Sequence, residues 1–262
     1  MKNMLVFLIP AIVASGCSES QDQDEPSTQE DSIVIKQHVP AENPAPELES
    51  ELKLMPVDKA SSDDSFLQFR RQLLQAIANK DEAYIYSIID SNIYLSFGNS
   101  SGLKTFKEKW FPEEKPSPFW PIMGVILRNG GSFRTESDNV KVFTAPYVFS
   151  EWPSTLDAFQ YSAVLGQNRP VYKSTDTTQG VAFRVSYDIL KPDYANSVSS
   201  RKNPFADNPE FSNFKDWIFV RSTEGQPLGY MKWDMIWSPV GYRALFKKKN
   251  GSWKLSVLIA GD

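Results

Sequence analysis

The sequence predicts an α+β fold in which helices come first, a block of β-strands follows and a β-hairpin closes the chain. Apolar residues recur at helical spacing between Phe66 and Ile77. After Phe133, short aromatic and β-branched runs are separated by Gly, Pro, Asn and Asp, a pattern typical of strands. Near the C-terminus, Asn250-Gly251 lies between two alternating apolar runs, and both residues tolerate the positive φ of a tight hairpin turn.

The helical part begins after capping residues, because Asp63, Asp64 and Ser65 precede the run "FLQFRRQLLQAIANKD". A second, shorter helix is predicted over 81–89. The alternating "NIYLSFG" then predicts a strand, and "SSGLKTFKEKWF" predicts a third helix that Pro112 ends.

The first sixteen residues have the build of a secretory signal. Lys2 supplies the positive start, residues 4–14 are almost all apolar, and small residues follow. The apolar run has about half of the roughly 20 residues that a spanning helix needs, and Pro10 interrupts it. We therefore expect export rather than a transmembrane helix.

The small residues end on Cys17, the only cysteine, so the segment resembles a bacterial lipoprotein signal. The resemblance implies removal of residues 1–16 and attachment of acyl chains at Cys17, and two or three chains would anchor the protein stably. Ser18 stands where the inner-membrane retention signal has aspartate, which implies the outer membrane facing the periplasm. The alternative is an ordinary secretory signal with a chance cysteine.

Residues 17–62 predict a disordered acidic tether. This polar, proline-bearing segment has eleven acidic residues against three lysines, and it has too little apolar surface to order itself. The remaining 63–262 then carries a net charge near +3. That value is too small to indicate nucleic-acid binding or a strongly basic membrane patch.

The region 151–238 resembles a bacterial SH3-like (SH3b) domain. The resemblance rests on "RPVYKSTD", a run ending in "YDIL", and "DWIFVRSTEGQPLGYM", in which a tryptophan, a strand, a glycine turn and a Gly-Tyr strand follow each other. It implies an SH3-like β-barrel. The segment 192–215 departs from the family because it is much longer than the usual connection.

The flanking segments 63–150 and 239–262 resemble the helical start and closing strands of an NTF2-like α+β domain. The SH3-like barrel would then be inserted into a split NTF2-like domain, before the C-terminal hairpin. The combination resembles bacterial SH3-domain-containing lipoproteins without an assigned activity.

The residue inventory argues against most enzyme classes. SH3b modules often accompany cysteine endopeptidases, but Cys17 would be acylated and the only histidine, His38, lies in the predicted tether. A Ser-His-Asp triad and zinc sites built on histidine fail for the same reason. No Gly-rich phosphate loop is present in the sequence. We therefore expect a protein that is not an enzyme and binds neither metal nor cofactor.

Two kinds of chemistry stay open. A glycosidase needs a pair of carboxylates. An NTF2-like pocket could serve a small ligand or an enzyme through Asp90, Tyr94 and Tyr147. The carboxylates available for a glycosidase are Glu113, Glu114, Glu136, Asp138 and Glu151.

Binding is the expected activity, since aromatic side chains give large contact areas with a polar edge. The sequence thus predicts an envelope protein that binds peptide, protein or peptidoglycan without catalysis, with a purely structural envelope component as a third possibility. Trp217 is expected in the core. The candidate ligand-binding residues are Tyr161, Tyr172, Tyr187, Tyr230 and Trp233.

Overall fold

A computed structural model describes residues 44–98, 101–136, 139–208 and 211–261 and confirms the α+β class, with helices in the N-terminal part and two β-sheets. The described helices are α1 (Asp64–Asn79), α2 (Glu82–Ile88), α3 (Gly102–Trp110), α4 (Phe119–Arg128) and α5 (Tyr147–Ser150). The strands are β1 (Ile89–Tyr94), β2 (Ser132–Thr135), β3 (Lys141–Ala145), β4 (Ser162–Val164), β5 (Arg169–Tyr172), β6 (Val181–Val185), β7 (Ile189–Val198), β8 (Trp217–Arg221), β9 (Pro227–Lys232), β10 (Ile236–Trp237), β11 (Arg243–Lys249) and β12 (Ser252–Ile259).

The three helices expected from the sequence, α1 to α3, are confirmed. Helix α1 begins where the Asp63 carboxylate accepts a hydrogen bond from the Phe66 N–H at 3.1 Å, and it ends at Lys80, which takes a left-handed conformation. Asp81 caps α2 in the same way, with a 3.0 Å bond from the Tyr84 N–H. Among the described helices, none combines the length and the apolar character that a bilayer crossing needs.

The first sheet has five strands in the order β1-β12-β11-β3-β2. Strand β1 runs parallel to β12, and the other neighbours are antiparallel. The predicted hairpin is confirmed as β11 and β12, joined by Asn250 at φ 48° and Gly251 at φ 79°. This sheet takes its strands from 63–150 and 239–262, the two segments that flank residues 151–238.

The second sheet has seven antiparallel strands in the order β10-β4-β7-β8-β9-β5-β6. All seven lie within 151–238, and the described pairing runs from β10 to β6 without closing into a barrel. The segment 192–215 is folded too: its first residues extend β7 to Val198, and Phe205 and Phe211 are buried in the core.

One large core joins the two sheets. It holds apolar residues of α1, α4 and β11, and also Ala163, Leu165, Ile189 and Trp237 from the seven-stranded region. A smaller cluster around Val171, Val220 and Met231 lies within the second sheet. Because the larger core draws on both regions, the described residues from 44 to 261 belong to a single compact unit.

The predicted tether was wrong for residues 44–62, which pack against the sheets. The Leu48 N–H donates to the Arg184 carbonyl at 2.8 Å, and the Arg184 N–H donates to the Pro46 carbonyl at 2.8 Å, so this segment adds a parallel bridge to β6. Leu54 is buried, and Lys53 Nζ lies 3.0 Å from the buried Asp188 carboxylate. We call residues 44–59 the strap. Residues 17–43, with Cys17 and His38, lie outside the described residues.

A glycine pair lets the strap approach the first sheet. Gly131 pairs with Asp58, and its N–H donates to the Val57 carbonyl at 2.9 Å. A Cβ at Gly130, whose φ is 62°, would lie 2.4 Å from the same Val57 carbonyl oxygen. Only glycine fits this close contact at positive φ.

Candidate functional site

The five predicted ligand-binding aromatics lie in separate places rather than in one groove. Tyr172 and Tyr230 face each other across β5 and β9, and both are half-buried. The Tyr230 ring packs edge-on against Phe219 at 5.0 Å, and the Tyr172 ring packs against Trp217 at 5.6 Å. We call this row on one face of the second sheet the tyrosine row.

Trp217 was expected in the core, and its 4% exposure confirms this. Lys232 Nζ lies 3.7 Å from the centre of its ring, close enough for a cation–π contact. Trp217 thus packs against Tyr172 of the tyrosine row and offers little surface to a ligand.

Tyr161 and Tyr187 lie elsewhere. Tyr161 is half-buried and packs against the large core. Tyr187 has a positive φ of 62°, and its backbone is held on both sides: its N–H donates to the Gly166 carbonyl at 3.0 Å, and its carbonyl accepts from the Leu54 N–H of the strap at 2.9 Å. Tyr187 lines a cavity that contains none of the other four ligand-binding candidates.

Of the five predicted ligand-binding residues, Trp233 alone lines an apolar recess of about 270 Å³, which we call the aromatic cleft. The cleft lies where the second sheet meets α4 and the closing hairpin. Its aromatic walls are Tyr194, Phe214, Trp233, Trp237 and Tyr242, and its aliphatic walls include Ile122, Pro192, Ile218 and Ile236.

The segment 192–215 builds one wall of this cleft. The buried Asp216 carboxylate holds the segment in place, since it accepts bonds from the Ser200 N–H at 2.6 Å and the Ser200 hydroxyl at 2.5 Å. The Asn203 amide donates to the Phe214 carbonyl at 3.3 Å. These bonds fix Phe214, whose ring packs edge-on against Trp233 at 5.3 Å. The wall is therefore formed before any ligand binds.

Polar groups are few and lie among the apolar walls. Ser162, Asn213, Lys215 and Ser238 contribute to the lining. Trp237 Nε1 donates to the Tyr242 carbonyl at 3.0 Å, which sets the orientation of the indole. The surface of Tyr194 is 55% exposed overall. Desolvation of its hydroxyl nevertheless raises the pKa of the phenol, and a hydrogen bond to Ser162 opposes this rise. The phenol stays neutral and can donate or accept at the cleft.

Sequence reasoning missed most of this site. Tyr194 and Phe214 belong to the long connection that departs from the SH3b pattern, and Trp237 and Tyr242 flank the predicted domain boundary at 238. A usable signal was present, because aromatic residues are unusual in a solvent-exposed loop and indicate that the connection packs on something.

The three residues predicted for an NTF2-like pocket, Asp90, Tyr94 and Tyr147, do not line one pocket together. Asp90 lies in a recess with Lys249 and forms an ion pair with it. Burial alone would raise the pKa of Asp90, but its bonds to Lys249, the Asn92 N–H and Ser256 lower it overall. Tyr94 is exposed beside Phe97, whereas Tyr147 is buried in the lining of another cavity.

The carboxylates considered for a glycosidase have structural partners or face solvent. Glu136 pairs with Lys247 at 2.6 Å and with Arg134 at 3.2 Å, contacts that lower its pKa. Glu151 accepts bonds from Ser132 and Ser150. Glu113 and Glu114 are exposed in a turn, and Asp138 lies outside the described residues.

Within the described ranges, no group of three or more His, Cys, Asp or Glu residues could hold a metal ion. A comparison of the chain with protein-family models, curated proteins and solved structures finds no match. The geometry of the aromatic cleft is the remaining basis for a functional assignment.

Proposed function

We propose that this protein is a lipoprotein of the bacterial envelope, anchored at Cys17, that binds peptide segments in the aromatic cleft without chemical turnover. The observation that carries the proposal is the convergence of five aromatic side chains on one preformed cleft of about 270 Å³. Concave apolar sites with a few polar groups are the usual form of ligand pockets.

A peptide suits this lining better than a sugar or a nucleotide. The aromatic and aliphatic walls can take an apolar side chain, and aromatic residues dominate the energetics of such contacts. Ser162, Asn213 and Ser238 supply polar groups for a peptide backbone, and Lys215 supplies a positive charge for a carboxylate. Stem peptides of peptidoglycan and extended segments of envelope proteins both have this chemistry.

We also propose that the second sheet derives from an SH3-like fold and the first from a split NTF2-like fold. Strands in the quoted SH3b runs and a sheet shared by 63–150 and 239–262 support this descent. On this proposal the long connection does not destroy the binding surface of the module, because it supplies one wall of the new cleft.

Binding is tested by sedimentation with purified peptidoglycan sacculi and by tryptophan fluorescence with a library of apolar peptides. Trp233 and Trp237 line the cleft, so ligand entry should shift the emission. We expect Tyr194→Ala to weaken binding by roughly tenfold, as truncation of an aromatic anchor does. Ala260→Phe should abolish binding by filling the cleft.

Tyr172→Ala and Phe159→Ala are matched controls, since Tyr172 lies in the tyrosine row and Phe159 is 66% exposed away from the cleft lining. Both should bind like the unmodified chain. Loss of binding in Tyr172→Ala with none in Tyr194→Ala would move the site to the tyrosine row. Absence of binding to both sacculi and peptides would refute the proposal.

A further inference from the structure

A second cavity, of about 380 Å³, lies apart from the aromatic cleft and shares no lining residue with it. It is bounded by the strap, by the end of α4, by α5 and by the turn between β4 and β5. We call it the arginine cavity. Its lining includes Asp58, Arg128, Asn129, Tyr147, Arg169 and Tyr187.

Two arginines give this cavity its positive charge. Arg128 ends α4, and Arg169 begins β5. Arg169 Nε donates to the Leu165 carbonyl at 2.7 Å, which fixes the side chain and leaves its terminal nitrogens for another acceptor. Within the described residues, neither arginine lies at ion-pair distance from a carboxylate.

The acidic group in the lining does not cancel this charge. Both oxygens of Asp58 accept bonds from Arg70 Nη1, at 2.6 Å and 2.7 Å, so this carboxylate is already neutralised. The Asn129 amide donates to the Val125 carbonyl at 2.7 Å and thereby covers one of the free carbonyls at the end of α4. Both arginines are exposed, and they supply the positive charge of the lining.

The lining of the cavity includes an unusual donor. Tyr147 is 1% exposed, and its hydroxyl has no hydrogen-bond partner in the described part of the chain. Burial, with Tyr187 nearby, raises the pKa of this phenol, so it remains protonated. A buried hydroxyl without a partner is costly, and a ligand oxygen that reached it from the cavity would satisfy it.

We propose that the arginine cavity binds a small molecule that carries an oxyanion, a carboxylate or a phosphate, through Arg128, Arg169 and the Tyr147 hydroxyl. Arginine presents planar donors that match both groups in a bidentate manner. The volume falls within the range of small-molecule sites. The cavity contains neither Asp90 nor Tyr94, the other two residues predicted for an NTF2-like pocket, and its chemistry is anion recognition rather than Asp/Tyr catalysis.

The test is isothermal titration calorimetry of the full-length protein in detergent with inorganic phosphate and with succinate, at constant ionic strength. Arg128→Gln and Arg169→Gln should each weaken binding of the preferred anion by roughly tenfold or more, since each removes a charged donor. Arg71→Gln is the matched control, because Arg71 is an exposed arginine on α1 outside the cavity. The preferred probe distinguishes a phosphate from a carboxylate ligand.

Tyr147→Phe separates a binding role from a structural one. Removal of a buried hydroxyl without a partner should leave the melting temperature of the free protein unchanged or higher, while anion affinity falls. If this variant fails to fold, the two arginine variants still decide the question. Absence of saturable binding with either anion, or equal weakening by Arg71→Gln, would overturn the proposal without bearing on the aromatic cleft.

Discussion

The Asp63 carboxylate has three partners at the start of α1. It accepts bonds from the Ser65 hydroxyl at 2.7 Å and the Phe66 N–H at 3.1 Å, and it pairs with Lys141 Nζ at 2.9 Å. The bonds from Ser65 and Lys141 hold its pKa well below the usual range. One side chain thus caps α1 and ties it to β3.

This arrangement predicts a pH-dependent contribution to stability. A carboxyl with a depressed pKa stabilises the fold above its unfolded value near 4, and the contribution is lost as the pH falls through the lower folded value. Asp63→Ala should lower the free energy of unfolding at pH 7 by about 1 kcal/mol or somewhat more, because it removes the cap.

Asp63→Asn keeps a capping oxygen but removes the charge, so it separates the two effects. Urea unfolding at neutral and acidic pH is the measurement. We expect Asp63→Asn to retain most of the stability at pH 7 and to lose less than the unmodified chain on acidification. Identical losses in the two proteins would exclude Asp63 as a source of the pH dependence.

The sequence indicated which aromatic residues could bind a ligand but not which of them share a surface. Tyr172 and Tyr230 come together because β5 pairs with β9, a long-range pairing that no local pattern specifies. Trp233 and Tyr194 meet at the cleft because β7 extends into the long connection. Residue type is local information, whereas a shared cleft depends on the topology.

At the scale of elements, α4 was not predicted because it is apolar along most of its length. Seven of its ten residues are buried, and a short, mostly apolar run can be read as a buried strand or as a buried helix. Pro121 also suggests a break, but it lies in the first turn, where its missing N–H has no helical partner to lose. The amphipathic α1 was predicted because it has one buried face.

The ordered structure of the strap was not predicted for a different reason. Its order comes from backbone hydrogen bonds to β6 and to Gly131, which any sequence without strong breakers could make. Its acidic side chains are mostly exposed, whereas Leu54 is buried and Leu48 and Val57 pack partly against the two cores. The average composition of the segment therefore resembles that of a disordered tether.

Leu54 and Leu52 provide a matched pair to test the strap. Leu54 is 6% exposed and Leu52 is 40% exposed, although they lie two residues apart. Leu54→Ala should destabilise the protein by about 2–5 kcal/mol, as truncation of a buried leucine does. Leu52→Ala should cost much less.

Chemical unfolding of both variants, with hydrogen exchange of the Leu48 and Arg184 amides, measures this effect. Faster exchange of both amides in Leu54→Ala would show that the strap detaches when its anchor is removed. Equal and small effects of the two substitutions would mean that the strap contributes nothing to the fold.

At the scale of the molecule, the first sheet joins β1, β2 and β3 of residues 63–150 to the closing hairpin. The barrel predicted for 151–238 is not found among the described strands, and the strap gives a physical reason. Residues 46–48 bond to β6, the edge strand that a closing partner would need. Backbone groups already paired with the strap cannot pair with β10.

The strap also changes where the folded unit begins, at residue 44 rather than at residue 63 as the predicted tether implies. If Cys17 is acylated, 26 residues (18–43) separate the anchor from the described unit in the sequence, instead of 45 (18–62).

Cell fractionation tests the anchor directly. Cys17→Ala should move the protein from the membrane fraction to the soluble fraction, because the acyl chains supply the membrane affinity. Ser18→Asp is the matched variant: it keeps the cysteine but introduces the residue of the inner-membrane retention signal, so the protein should move from the outer to the inner membrane. Retention of Cys17→Ala in the membrane fraction would show that something other than acylation holds the protein there.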